Sequence, residues 1–206
     1  MHKAFCLPRG ISVPDLSGIH EGYSATLAPK GHTVFTINVS AERMDTVFRR
    51  LSSEVAEPGF LLLEVGTHES VEKTLRESPT SPFHKDVFYL DALTHEGLLE
   101  ILRRHGDLLV QDGGINFGYG SGSGTDEVYV GPYKVMYIYS DTPEKYVRAL
   151  DALGFIREPQ LRTVWNNFTK DSPGNRRVLT EVKTTIWDVI AELKGEGLYF
   201  AERRDD

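Results

Sequence analysis

The chain predicts a single mixed α/β or α+β domain, a mixed β-sheet flanked by about five amphipathic helices. Three observations carry that expectation. Short apolar runs of strand length recur along the chain. Between them stand segments with apolar residues at helical spacing, most opened by Ser or Thr and closed by Gly or Pro. Strands and helices do not alternate strictly enough for a doubly wound parallel sheet.

Residues 1–31 carry Pro8, Gly10, Pro14, Gly18, Gly22, Pro29 and Gly31 and read as an irregular N-terminal arm, leaving 32–206 as the domain proper. His32–Val39 alternates like a half-buried strand. Ser40 is placed to cap a helix whose stripe is Met44, Val47, Phe48, Leu51 and Val55, stopped by Pro58-Gly59. Phe60–Val65 is a short apolar run of a buried strand, interrupted by Glu64. Thr67 can cap a short helix with Val71 and Leu75, and Ser78–Pro82 is a loop before a second apolar run at Val87–Leu90. Thr94 opens a helix with Leu98, Leu99, Ile101 and Leu102, and Gly106 stands where a helix-ending glycine belongs, so Asp107–Val110 reads as extended. Glu127–Val130 and Tyr133–Tyr139 are the strongest strand signals, broken by Gly131-Pro132. Thr142-Pro143-Glu144 starts a helix with stripe Tyr146, Val147, Leu150 and Leu153. Arg162–Phe168 reads as a strand, Lys170–Asn175 as a turn, Ile186–Leu193 as a last helix and Leu198–Ala201 as a terminal strand. The strand–Ser–helix units at 34–55 and 135–153 resemble each other as a weak pseudo-repeat.

Hydrophobic residues make up 40% and charged residues 26% of 206, enough for a sizeable core. The net charge of −7 argues against general nucleic-acid binding, which needs a basic surface. It suits a basic protein partner, drawn in by electrostatic steering. The acidity is concentrated: Asp86 to Glu127 holds eight carboxylates against two arginines, while Ile156 to Lys183 holds six cations against three carboxylates. Arg176-Arg177, Arg203-Arg204 and the Trp165–Phe168 aromatics do not raise this to a nucleic-acid stripe. Cys6 is the only cysteine, which excludes an internal disulfide and fits a reducing cytoplasm. The N-terminal residues lack the apolar run of a signal peptide, and no stretch approaches the roughly 20 apolar residues of a membrane span. A cytoplasmic protein with no membrane role is expected.

The stretch Gln111–Tyr129 holds six glycines and is the most unusual part of the chain. It fits no phosphate or nucleophile motif. G-x-G-x-x-G started at Gly118 reaches Gly120 and then Ser123, Gly124 is followed by Thr125 rather than Lys, and neither Ser121 nor Ser123 is flanked as a nucleophile elbow requires. Asp112, Gly114 and Asn116 do not continue into a calcium loop. A flexible hairpin loop is therefore expected, running from 108–110 to 128–130 and used to contact a partner. His68-Glu69 and His95-Glu96 both fail H-E-x-x-H, since Glu72 and Leu99 occupy the fourth position. No two histidines have ligand spacing, so no metal and no cofactor is expected.

Tyr129, Tyr133, Tyr137, Tyr139 and Tyr146 fall within a short span, and tyrosine favours interfaces because it joins apolar area to a polar tip. The expected binding surface is Gly118, Tyr119, Gly120, Gly122, Gly124, Asp126, Glu127, Tyr129, Tyr133, Tyr137 and Tyr139. The leading expectation is a non-catalytic module that binds a protein, in the manner of an inhibitor or immunity protein for a basic partner. One alternative is a small-ligand protein or enzyme in which residues 118–124 form a lid, Asp126 or Glu127 acts as acid–base and His84 or His95 is its partner. A homodimer built through the tyrosine face is the other.

Overall fold

A computed structural model describes residues 4–205. In chain order the elements are β1 (Ile11–Ser12), β2 (Gly22–Leu27), β3 (Thr33–Asn38), α1 (Ala41–Ser52), β4 (Gly59–Gly66), α2 (Glu69–Leu75), β5 (His84–Leu93), α3 (His95–Gln111), β6 (Ile115–Ser121), β7 (Glu127–Val130), β8 (Met136–Ser140), α4 (Pro143–Ala152), β9 (Asn175–Arg176), α5 (Ile186–Lys194) and β10 (Tyr199–Asp205). Eight strands form one sheet in the order β10-β5-β4-β6-β7-β8-β3-β2, with every neighbouring pair antiparallel; β1 and β9 pair separately. The protein is an α+β single domain.

The helices follow from their apolar stripes. Met44, Val47, Phe48 and Leu51 of α1 are fully buried, and they meet the stripes of α3, α4 and α5 in one core on one face of the sheet. Alternation supplies the sheet's side of that core: Phe35 and Ile37, Leu61, Leu63 and Val65, Ile115, Phe117 and Tyr119, Val128 and Val130, Met136 and Ile138. Each such side chain adds about 1.5–3 kcal/mol by leaving water. The two strand–Ser–helix units come together, since β3 and β8 pair with Phe35 opposite Ile138.

Several local expectations give way to packing. α3 continues through Gly106 to Gln111, because Leu108, Leu109 and Val110 extend its buried stripe. Gly106 is the contact point with α1: a Cβ there would lie 2.8 Å from Asp45 Oδ1. Ser40 precedes α1 but does not cap it through its side chain, which instead accepts from the Cys6 amide. α2 is capped by His68, while Thr67 donates to Asp86. Arg162–Phe168 contains a 3-10 turn at Val164–Asn167 rather than a strand, with Thr163 and Asn166 bonding each other's backbone. Within residues 1–31, Gly22–Leu27 enters the large sheet as its edge strand β2.

Among the described residues, a small second cluster covers one end of the sheet face opposite the helices. There Ile19, Val135 and Val164 form a small cluster with Tyr133, Tyr137 and Phe168. The remainder, across β4, β6, β7 and β8, is where the glycines and tyrosines lie.

Candidate functional site

The glycine-rich stretch does not form the expected loop. Gly118 and Gly120 lie inside β6, a central strand buried along its whole length, and only residues 122–126 turn into β7. A lid at 118–124 is thereby corrected: strand pairing on both sides, to β4 and to β7, fixes half of it. These glycines are needed for space. A Cβ on Gly120 would stand 2.4 Å from Phe60 Cζ, and one on Gly118 would stand 3.3 Å from Tyr129 Cδ2. Phe60 is the residue opposite Gly120, and its ring lies over it. The strand is left without side chains where aromatic rings crowd over it.

Register then fixes the neighbours. Glu127 stands between Gly120 on β6 and Tyr139 on β8, and Tyr129 stands between Gly118 and Tyr137. Leu62 is opposite Gly118 on the far side and opposite Tyr89 on β5. An aromatic band results: Tyr199, Tyr89 and Phe60 on one flank, with Phe60 and Tyr89 edge to face at 5.5 Å, and Tyr129 stacked with Tyr137 at 6.5 Å on the other. Tyr139 adds a contact to His32.

Two carboxylates sit in the gap between these flanks. Glu64, only 6% exposed at its side chain, is held from several strands: Tyr129 Oη donates to it at 2.7 Å, Asn116 Nδ2 at 3.2 Å, Lys85 Nζ at 3.5 Å and Arg204 Nη1 at 3.4 Å. Burial, followed by the bond to Glu64, drives the Tyr129 phenol far above its ordinary range. Glu127 is different. Among the described residues no donor and no cation meets its carboxylate, and burial, with the Glu64 charge second, raises its pKa. Burial is also the main cause that raises Tyr137 and Tyr139.

The expected site residues divide into two groups. Gly118, Gly120, Glu127, Tyr129, Tyr137 and Tyr139 come together on this face. Tyr119 points the other way, fully buried in the core, with its hydroxyl donating to the Leu93 carbonyl. Asp126 is tied to Lys145 and to the Ser140 hydroxyl. Tyr133 lies in a 3-10 turn with φ of 57° and joins Trp165 and Phe168 at the covered end. Gly122 and Gly124 lie exposed in the turn. The acid–base partners proposed from sequence are not brought together, since His84 faces Glu72 and His95 faces Glu57. Sequence reasoning passed over Glu64, whose signal was a lone charge inside an apolar strand run. Beyond it, a cleft of about 350 Å³ opens at the ends of β4, β5 and β6, lined by Glu64, Glu72, His84, Lys85, Asn116 and Arg176. Among the described residues, nothing hydrogen-bonds the buried Asn116 Oδ1 there.

No family model, no curated protein and no solved structure matches this chain. Among the described residues, no helix is long and apolar enough to cross a membrane.

Proposed function

We propose that the protein is a non-catalytic binding module whose open sheet face receives a basic side chain of a protein partner, as an inhibitor or immunity-like protein would. The observation that supports this reading is Glu127, a half-buried carboxylate flanked by tyrosine and phenylalanine rings that no cation meets among the described residues. Lysine or arginine inserted there gains an ion pair and the faces of Phe60, Tyr129 and Tyr139, the combination that favours desolvated cations. The net charge of −7 steers such a partner to the surface.

The test is retention on immobilised protein. Source-cell lysate passed over wild type and Glu127→Gln columns should leave a basic protein on the first, eluting with moderate salt, and not on the second. Equal retention by both columns, or no basic protein on either, refutes the reading. The cleft at Asn116 favours a second reading, a small-ligand site, because an orphaned buried acceptor calls for a donor. A thermal-shift metabolite screen in which a hit loses its effect in Asn116→Ala supports it.

A further inference from the structure

The outer edge of β2 is half used. The Tyr23 amide donates to the Ile156 carbonyl at 3.0 Å, and the Glu158 amide donates to the Tyr23 carbonyl at 2.7 Å, in a parallel bridge that goes no further. Main-chain groups alternate sides along a strand, so the N–H and C=O of Ala25 and Leu27 share Tyr23's outward side. Among the described residues these groups have no partner. Leu27 is 75% exposed at this edge, where folded proteins usually place charge or proline to prevent strand addition.

Beside the edge, between β2 and α4, lies a cleft of about 480 Å³. Ala25, Leu27, Phe35 and Val147 give it an apolar floor, and Arg148 and Arg157 stand on its rim. Neither arginine makes a hydrogen bond or ion pair among the described residues, and Glu144, the one carboxylate lining the cleft, pairs with neither. Two unpaired guanidinium groups over an apolar floor and an open strand edge define a chemistry.

We infer that β2 is a docking edge for an extended acidic segment of a partner protein, which adds as a ninth strand and carries apolar side chains and carboxylates together on the face turned to α4. The main chain bonds Ala25 and Leu27, apolar side chains enter the cleft, and carboxylates meet Arg148 and Arg157. A second copy of this chain is the poorer occupant, because edge-to-edge pairing brings the two arginine pairs together. This site is separate from the Glu127 face and does not depend on it.

The probe is a capped peptide in which every second residue is serine and the residues between are isoleucine and glutamate in turn, so that both share one face; it is followed by fluorescence anisotropy, with a peptide carrying lysine in place of glutamate as control. Saturable binding of the acidic peptide alone is expected. Ala25→Pro should weaken it about tenfold, a loss of about 1.4 kcal/mol, since proline removes the outward N–H yet is tolerated on a strand edge. Arg148→Glu should weaken it comparably. In the wild-type protein, amide exchange at Ala25 and Leu27 should slow when peptide is added, a readout that serves even if Ala25→Pro fails to fold. Absence of saturable binding, equal binding of the lysine peptide, or unchanged exchange at both amides would overturn the inference. So would self-association in light scattering that Ala25→Pro abolishes, which would assign the edge to a second copy.

Discussion

The two faces of β6 are built from one seven-residue strand and do opposite things. Ile115, Phe117 and Tyr119 face the helices, are fully buried, and interlock with α1, where Phe48 meets Phe117 edge to face at 4.9 Å. Asn116, Gly118 and Gly120 face away, and the two glycines leave room for rings from β4 and β7. The same contrast extends to charge. On the helix side Lys134 is buried and held by local partners, its ammonium donating to the Leu109 and Ile115 carbonyls beside the Phe117 ring. On the open side Glu127 is desolvated and unmatched. A buried charge with local partners is a structural pin; a desolvated charge without them marks a surface awaiting a complement.

The contrast can be broken most forcefully from the core side. Phe117→Ala should cost about 3–5 kcal/mol, the usual range for emptying a packed aromatic site, read as a lower urea midpoint. A loss below about 1 kcal/mol would mean that the core face is not close-packed.

Lys134 gives the next effect. Burial lowers its pKa from 10.5 to about 7. Between those values the unfolded chain holds one more proton than the folded one, so stability rises with pH across that window, at up to about 1.4 kcal/mol per pH unit. Unfolding curves from pH 7 to 9 should show this slope in wild type and lose it in Lys134→Met. Parallel slopes would show that the ammonium is solvated.

On the open face, Gly120→Ala should cost about 1–3 kcal/mol by overpacking against Phe60. The penalty should shrink when Phe60→Ala is added, a coupling that a double-mutant cycle measures directly. Additive losses would place the clash elsewhere.

The smallest effect has the opposite sign. Glu127 keeps its proton in the folded state to higher pH than in the unfolded chain, so its contribution to stability falls as pH rises from 4.5 through the raised folded value. Glu127→Gln should therefore be more stable than wild type near neutral pH, by on the order of 1 kcal/mol, and the difference should vanish as pH approaches 4.5. A destabilised glutamine variant would mean that the carboxylate is structurally used.

Much of the fold was legible in advance. The stripes of α1, α4 and α5 and the alternation of β3, β7 and β8 are local periodicities, and each appears where its residues place it. Two of the errors share a cause. Gly106 and the glycines of β6 read as a helix end and a flexible loop because glycine has the same letter whether it supplies conformational freedom or space. Only the partner surfaces, Asp45 in one case and Phe60 and Tyr129 in the other, distinguish the two uses. The site was half legible: Glu127, Tyr129, Tyr137 and Tyr139 were marked by density and spacing, and strand parity put them on one face. Tyr119 failed because its strand was not recognised, and without a strand no parity can be assigned.

The sequence by itself determined most of the helix and strand segments, that one core is large enough to hold them, and that the molecule is acidic. It did so because periodicity and composition act over a few neighbouring residues. Tertiary structure alone decided that Glu64 would meet Tyr129, Asn116 and Arg204, residues 52 to 140 positions away, and that Glu127 would be desolvated without a cation. Those facts depend on strand order and register, which bring distant side chains to hydrogen-bond distance and which no local pattern encodes.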